Sequence, residues 1–327
     1  MPRPIARRVA LLALAALPAL PSPALAQAEP AWPSRPVRMV VAFPAGSGTD
    51  LTMRLFSEPL GAELGQPVVV DNRGGANGFI ASEAVARARA DGYTFLFTAN
   101  TTHGSNPALF RRLPYDPVGD FTPVALIGVG VLLVVVNNDL PVRSMQDLAA
   151  YARANPGRLN FASGSASSRV AGEMFKAMAA VDMVNVTYRS NPLGITDVIS
   201  GVAQVMFVDA TTSAPQVREG RVRAIAVTSR QRVTMLPEVP TVEEQGFPGY
   251  EMLSWNAVYA PAGTPAPVVA RMNSLINEIM ARPIVAERLT ASGMELRPGS
   301  PQDLANFQAA EIDKWKHLVA AAGIELQ

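Results

Sequence analysis

Two loops of small residues are the parts of this chain best suited to hold a ligand. The first is Pro44-Ala-Gly-Ser-Gly-Thr-Asp50 and the second is Ser163-Gly-Ser-Ala-Ser-Ser168. Backbone N–H groups at a helix start, free of bulky neighbouring side chains, form a site for an anion. The two loops therefore predict binding of an anion by N–H and hydroxyl donors. An ordinary strand-to-helix connection is the alternative explanation for the first loop taken alone.

Signatures of catalysis and of metal binding do not appear in the sequence. The only histidines are His103 and His317, and no spacing typical of zinc ligands occurs. Gly164-Ser-Ala-Ser-Ser168 lacks the last glycine of a G-x-S-x-G elbow. Gly46-Ser-Gly48 lacks the lysine of a phosphate loop and the third glycine of a dinucleotide loop. We therefore expect no enzyme activity, no metal and no cofactor, and a secreted serine hydrolase with His103 as its base stays an open alternative.

Apolar runs on either side of each loop indicate the elements that position it. Val37–Phe43 is short, apolar and β-branched, as buried strands are, and leucines recur at helical spacing between residues 51 and 64. Gly46 and Gly48 allow positive φ in the turn, and Thr49 or Asp50 can cap the helix. The same order of strand, loop and helix recurs around the second loop.

Strand-like and helix-like runs alternate along the rest of the chain, which predicts α/β architecture. A polar loop, Asn100–Pro107, follows one strand at the end where open α/β sheets place ligands. The predicted strands are 37–43, 68–70, 93–98, 122–127, 131–136, 159–162, 184–188, 204–208, 222–228 and 256–259. The predicted helices are 51–64, 79–90, 144–154, 170–180, 195–200, 215–219, 268–281 and a last helix capped by Ser300-Pro-Gln-Asp303.

Charge and cysteine content limit the possible partners. The chain of 327 residues carries a formal net charge of +1, but residues 1–26 hold three arginines and no acid. The remainder has 25 basic against 27 acidic residues, a net charge of −2. Without a basic block, nucleic acid is not an expected partner. The absence of cysteine excludes disulfides and thiolate metal sites.

The N-terminus predicts export from the cytoplasm. Met1–Arg8 is basic, Val9–Leu17 is a short apolar run, and Ala24-Leu-Ala26 has the small residues of a cleavage site. We therefore interpret residues 1–26 as a signal peptide and expect the mature protein to begin at Gln27 in the periplasm. No later segment reaches 18 uninterrupted apolar residues, the length that indicates a membrane-spanning helix.

Motifs along nearly the whole mature sequence resemble one family. They are Trp32-Pro-x-Arg-Pro-Val-Arg38, Phe43-Pro-Ala-Gly-x-Gly-Thr-Asp50, Asp71-Asn-Arg-x-Gly-Ala-Asn-Gly78, Asp91-Gly-Tyr-Thr94, Leu113-Pro-Tyr-Asp-Pro117, Asp120-Phe-x-Pro-Val124, Ala171-Gly-Glu-Met-Phe175, Arg223-Ala-Ile-Ala-Val-Thr228 and Pro237-Glu-Val-Pro-Thr241. Together they resemble the Bug family of periplasmic solute receptors, the binding proteins of tripartite tricarboxylate transporters.

The resemblance implies a two-lobed periplasmic binding protein of type II, a Venus flytrap in which each lobe is a mixed sheet flanked by helices. It implies no catalysis, a monomer, a small carboxylate ligand held between the lobes, and delivery of that ligand to membrane transporter subunits. A receptor that signals to a membrane sensor would have the same fold. We place one lobe at 32–128 and 256–327 and the other at 129–255, with hinges at Gly128–Val131 and Leu253–Ala257.

The resemblance also assigns the ligand contacts. In the first lobe these are Ala45, Gly46, Ser47, Gly48 and Asp50, with Thr101, Thr102 and His103 lining the mouth of the cleft. In the second lobe they are Ser163, Gly164, Ser165, Ala166, Ser167 and Ser168, with Tyr188 and Arg189 nearby.

Three departures from the family pattern lie where the far end of a ligand is expected. Arg169-Val170 stands in place of His-Leu, Ser190 stands in place of a glycine after Tyr188-Arg189, and Asp209 lies one position later than the usual acid. Arg169 and Asp209 are therefore added to the predicted site, where Asp209 would repel a second carboxylate unless it is paired with Arg169 or Arg189. The alternative is that Arg169 is solvated and Asp209 caps a helix that starts near Ser213.

Overall fold

The strands of this protein form one continuous sheet around a single long strand. The computed structural model describes Met1 and residues 32–327, so the predicted signal peptide and its cleavage site lie outside the described residues apart from Met1. In residues 32–327 the strands are β1 Val37–Val41, β2 Val68–Asn72, β3 Thr94–Ala99, β4 Phe121–Val136, β5 Asn160–Ser163, β6 Val184–Thr187, β7 Val205–Asp209, β8 Arg223–Val227, β9 Leu253–Pro261 and β10 Met294–Leu296.

Helices follow most of the strands, as the alternation predicts. They are α1 Gly48–Leu64, α2 Phe79–Ala86, α3 Asn106–Leu109, α4 Met145–Ala154, α5 Ala166–Ala179, α6 Asn191–Ser200, α7 Ala210–Arg218, α8 Ala266–Met280, α9 Pro283–Ala291 and α10 Pro301–Ala321. The predicted α/β class is confirmed. Helix α9 and strand β10 were not predicted, because both are short and carry little apolar periodicity.

The sheet order is β2-β1-β3-β9-β4-β7-β5-β6, and β8 and β10 also pair with β4. Residues of β4 up to Val131 pair with β9 and β10, whereas Leu132–Val136 pair with β7 and β8. The prediction of two strands separated near Gly128 and Gly130 is wrong. Both glycines lie inside one continuous strand. Residue 128 must be a glycine because a side chain there would collide with the backbone of Glu295 on β10.

Parallel pairing brings the two predicted loops to the carboxyl edges of their strands. Strand β1 pairs in parallel with β2 and β3, and β5 pairs in parallel with β6 and β7. In open α/β sheets the carboxyl ends of such strands are where ligands bind. The loop after β1 leads into α1, and the loop after β5 leads into α5.

Apolar side chains cover both faces of each part of the sheet. Met39 of β1 packs in one buried cluster with Phe56 of α1 and Met272 of α8. Phe161 of β5 and Phe207 of β7 belong to another cluster around the second part of the sheet. The last helix joins the two regions, since Leu304 packs with the first strands while Trp315 and Val319 pack into the cluster that contains Phe161.

Two local predictions near the loops need correction. The cap of α1 is Ser47, whose side chain accepts a hydrogen bond from the Asp50 N–H, so neither Thr49 nor Asp50 is the capping residue. The segment predicted as a polar loop is helical. It forms one π-helical turn, Thr101–Ser105, that continues into α3, and all five of its residues are buried.

Candidate ligand-binding site

A small cavity lies between the loop after β1 and the loop after β5. Its volume is about 50 Å³, enough for a few water molecules or one compact polar group, since a single water needs roughly 10–15 Å³ on this measure. The predicted site residues that line it come from both loops and from two other segments. They are Ser47, Gly48, Thr101, Gly164, Ser165, Ser167 and Asp209. We call this space the inner cavity.

Four helices begin at the inner cavity. Its lining includes Thr49 of α1, Ser167 of α5, Asn191 of α6 and Thr211 of α7, each in the first two residues of its helix. The first N–H groups of a helix have no acceptor within the helix. Each helix start also carries about half a positive charge. The cavity is therefore surrounded by donors and by positive dipole ends, which favours an anionic group.

Two buried side chains also present unused donors. Asn100 and Thr101 are each 1% exposed and line the inner cavity. The Asn100 Nδ2 and the Thr101 Oγ1 have no hydrogen-bond partner among the described residues. Buried polar groups are normally satisfied, so both atoms are suited to a ligand oxygen. Asn100 was not predicted as a contact, because the sequence does not show that this segment is helical and closes the cavity.

Asp209 lines the inner cavity and also caps α7. Its Oδ1 accepts from the Thr212 N–H at 2.8 Å, and its Oδ2 accepts from Asn191 Nδ2 at 2.6 Å and from Thr212 Oγ1 at 3.1 Å. The alternative in which Asp209 caps a helix is therefore confirmed, although the helix starts at Ala210 rather than near Ser213, and its role toward a ligand stays a prediction. Neither Arg169 nor Arg189 pairs with Asp209, whose charge is instead compensated by these donors.

Asn191 connects the second loop to Asp209 and was missed as a site residue. Its Oδ1 accepts from the Gly164 N–H at 3.1 Å while its Nδ2 donates to Asp209. A side chain at Gly164 would collide with the backbone of Ser190 and Asn191. Gly164 is thus required by close packing of the chain against itself. The available sequence signal was an amide directly before Pro192 at a helix start.

Only a short gap separates the two sides of the inner cavity. A Cβ atom added at Gly48 would lie 2.6 Å from Asp209 Oδ1 and 3.4 Å from Thr211 Cβ. Gly48 does not have positive φ in the structure, unlike Gly46 at φ 80°. Its lack of a side chain therefore serves the approach of α1 to α7.

A second, larger space adjoins the inner cavity, and we call it the outer cavity. Its volume is about 320 Å³, and it shares Phe43, Thr101, Gly164 and Ser165 with the inner cavity. The other predicted site residues that line it are Ser163, Ala166, Arg169, Tyr188 and Arg189. The Tyr188 hydroxyl donates to Asp197 at 2.6 Å. Burial and this carboxylate raise the pKa of Tyr188 to about 12.

Six predicted contacts line neither cavity: Ala45, Gly46, Asp50, Thr102, His103 and Ser168. Asp50 lies behind the first loop and accepts from the Gly46 N–H at 2.8 Å, from Arg54 Nε at 2.9 Å and from Asn72 Nδ2 at 2.9 Å. Burial disfavours its charge, but these hydrogen bonds outweigh burial and hold the pKa of Asp50 below its usual value. Asp50 therefore positions the loop.

His103 lies in the core rather than at the mouth of the cleft. It is fully buried, stacks on Tyr259 with ring centroids 4.0 Å apart, and its Nδ1 is 2.8 Å from Thr102 Oγ1. The helical turn aims the side chains at 102 and 103 inward, which the predicted loop did not allow for. Burial lowers the pKa of His103 to about 3. Its polar neighbour is Thr102, not a serine of either loop.

Two absences within residues 32–327 concern metal ligands and membrane spans. That part of the chain holds no group of three or more His, Cys, Asp or Glu side chains placed to share a metal ion. None of the helices described there is both long and apolar enough to cross a membrane.

Solved structures that share this fold include the periplasmic binding protein BugD. Rpa4515 of Rhodopseudomonas palustris, solved with adipate, matches with a TM-score of 0.88 at 36% identity over 90% of this chain and 100% of that chain. BugD matches with a TM-score of 0.86 at 32% identity over 90% of this chain and 100% of BugD. MatC of Rhodopseudomonas palustris, solved with malate, matches with a TM-score of 0.84 at 32% identity over 88% of this chain and 100% of MatC. The fold is that of a two-lobed periplasmic binding protein.

Sequence comparison defines the family. Residues 52–324 match the family model described as tripartite tricarboxylate transporter family receptor. BugT of Bordetella pertussis is 33% identical over 299 residues, which cover 90% of this chain and 92% of BugT. The chain belongs to the tripartite tricarboxylate transporter family of receptors, and the resemblance to the Bug proteins is confirmed.

We predict that Asp50→Asn destabilises the protein by about 1–3 kcal/mol at pH 7, because a charged acceptor of three hydrogen bonds is lost. The pKa of Asp50 is lower in the folded than in the unfolded state. The stabilisation that its carboxylate gives the folded state is therefore fully present above the unfolded pKa of about 4 and is lost as pH falls through the folded pKa. Urea unfolding of the parent and of the Asp50→Asn variant at pH 7 and pH 3 measures the difference in stability. Asp313→Asn, at an exposed carboxylate paired with Lys316, is the control and should change little. An equal stability gap at both pH values would contradict the prediction.

Proposed function

We propose that this protein is a periplasmic receptor that captures a small carboxylate and delivers it to a tripartite tricarboxylate-type membrane transporter. The family, together with the adipate and the malate with which two related structures were solved, supports a carboxylate as ligand. Such a receptor would act as a monomer without catalysis or cofactor.

The convergence of four helix starts on the inner cavity is the observation that carries this proposal. Hydrogen bonds from N–H and hydroxyl donors to a carboxylate are charge-assisted and contribute roughly 1.5–3 kcal/mol each. The predicted mature chain has a net charge of −2, so it offers no long-range attraction to an anion. Local dipoles and donors must therefore provide the binding, and these are concentrated at the inner cavity.

Closure of two lobes would bring the two loops to one ligand. The proposed hinge segments are neighbouring strands, because Gly128 pairs with Asn256 and Val131 pairs with Leu253. Bending of two adjacent strands would move 129–255 against 32–128 and 256–327 as hinge closure. The close approach of Gly48 to Asp209 is then a contact of the closed state.

Export through a signal peptide completes the proposal. A receptor that feeds a membrane transporter from outside must cross the inner membrane, and residues 1–26 have the sequence of a cleavable leader.

We expect linear carboxylates to raise the melting temperature of the purified protein. A ligand at 100 times its Kd adds about 2.7 kcal/mol to the stability of the folded state. A thermal-shift screen of carboxylates of two to eight carbons, each beside its primary amide, measures this. The amides lack the charge and should have no effect. The proposal fails if no carboxylate produces a larger shift than its amide.

We predict that Gly48→Ala weakens ligand binding about tenfold or more while the free protein keeps its stability. Alanine is suited to the first residue of α1, but its Cβ would press on Asp209 in the closed state, and overpacking costs roughly 1–3 kcal/mol. Calorimetric titration with a carboxylate found in the screen measures the effect.

The matched control is Gly61→Ala in the same helix, where the added Cβ lies 3.4 Å from the Gln66 carbonyl, an ordinary contact. This variant should bind like the parent. Equal affinity of the Gly48 and Gly61 variants would rule out closure at Gly48.

We also predict that protein recovered from the periplasm begins at Gln27. The small residues Ala24 and Ala26 fit the cleavage site, so replacing Ala26 with arginine should leave the leader attached. Mass spectrometry of periplasmic and whole-cell fractions measures both results. Parent protein that retains Met1 in the periplasm would refute the assignment.

A further inference from the structure

A third space lies against the strands that contain the proposed hinges. Its volume is about 660 Å³, larger than that of the inner or the outer cavity. Its floor is formed by Val129 and Val131 of β4 and Leu253 of β9. Residues 229–235 form one wall, and residues 293–297 form the other. We call this space the rear cavity.

The inner cavity and the rear cavity lie on opposite faces of the same strands. Successive side chains of a strand point to opposite faces. Gly130, Ser254 and Asn256 line the inner cavity, whereas their neighbours Val129 and Leu253 line the rear cavity. Strands β4 and β9 therefore form a thin partition between the two spaces. A rotation about this partition that narrows the space on one face widens the space on the other.

The two walls of the rear cavity belong to different proposed lobes. Residues 229–235 lie in the lobe 129–255, and residues 293–297 lie in the other. The lobes approach closely at Gly293, where an added Cβ would lie 2.8 Å from Ala210 Cβ and 3.0 Å from Met235 Sδ. Ala210 is the first residue of α7, one of the helices that begin at the inner cavity. The contact at Gly293 thus connects the rear cavity to the inner cavity.

Salt bridges do not hold the two walls of the rear cavity together. Arg230 pairs with Glu251 at 3.3 Å inside the lobe 129–255, and Arg297 pairs with Glu295 at 2.8 Å inside the other lobe. Within residues 32–327, no salt bridge joins one wall to the other. The walls can therefore move apart or together without breaking an ion pair.

We propose that the rear cavity controls the equilibrium between open and closed lobes, so that filling it favours the closed state. This inference rests on the proposed function, because it takes a carboxylate to close the lobes. Gly48 lies close to Asp209 at the inner cavity, and the rear cavity is correspondingly wide. Opening would bring the rear walls together. A side chain that occupies the rear cavity opposes this movement and raises the fraction of free protein that is ready to bind.

The absence of cysteine allows the movement of the rear walls to be measured with introduced labels. Thr234 and Thr290 are exposed and line the rear cavity from different lobes. Spin labels on the double variant Thr234→Cys, Thr290→Cys report their separation by pulsed electron paramagnetic resonance. The probe is the carboxylate that gives the largest shift in the thermal screen. It should lengthen this distance by more than about 2 Å, the size of a domain rearrangement.

A label pair inside one lobe is the control for this distance. Thr234 and Gln146 both lie in 129–255 and are both exposed. The distance between labels on Thr234→Cys and Gln146→Cys should not change with the carboxylate. A rear distance that stays constant or shortens on binding overturns the inference, while the thermal shift still supports a carboxylate receptor.

Filling the rear cavity tests its effect on affinity. Thr234→Trp and Thr290→Trp each place a large side chain at an exposed position of its lining. Each should lower the Kd for the same carboxylate about threefold, and the double variant about tenfold. Gains of this size are available because a minor closed state of roughly 0.1–10% in the free protein leaves room for them. Calorimetric titration measures the Kd values.

The control for filling is Gln302→Trp, at an exposed position of α10 that lines none of the three cavities. This variant should bind like the parent. Unchanged or weaker binding in both threonine variants overturns the inference and leaves the carboxylate proposal standing. If no carboxylate raises the melting temperature of the parent, the proposed function fails and this inference with it.

Discussion

The unsatisfied N–H groups at helix starts are the constraint on which this site depends. Four helices begin at one small cavity, and burying their first N–H groups without acceptors would be costly. Side chains of the protein accept some of these N–H groups. Ser47, Ser165 and Asp209 each accept from the third N–H of their helix. The first two N–H groups of α1, α5 and α7 are left for another acceptor, and α6 offers only that of Asn191 because Pro192 has no N–H. In the proposed function a carboxylate is that acceptor. The same geometry therefore defines the fold locally and selects the charge of the ligand.

Convergence of the helix starts depends in turn on the sheet. Strands β1 and β5 each lie between two parallel neighbours, so their loops emerge at carboxyl edges. Strand β4 holds both parts of the sheet together along its 16 residues. Helix α10 packs against both parts, and β9 and β10 pair with β4 between residues 128 and 131, where the first part ends. Glycines at 128 and 130 keep these strands close, because no side chain intervenes there.

Local patterns predicted the parts of the site that are local in sequence. The two loops of glycine and serine and the starts of α1 and α5 were recognisable, because a strand, small residues and a helix follow one another directly. The starts of α6 and α7 were not recognised as part of the same cavity, since their meeting depends on β7 lying beside β5. Asn100 and His103 were misjudged for a related reason. A polar segment was taken as an exposed loop, but packing against Tyr115, Phe121 and Tyr259 makes it a buried helical turn.

The division between backbone and side chains explains how one fold can serve different ligands. The inner cavity is built largely from helix starts and small residues, so its preference for an oxyanion follows from backbone geometry. The outer cavity is built from the side chains of residues such as Arg169, Tyr188 and Arg189. Substitutions there leave the sheet and the helix starts intact, because these residues lie outside the packed clusters or at their edge. The outer cavity is therefore where differences in ligand choice can arise without loss of the fold or of the proposed binding of one carboxylate in the inner cavity.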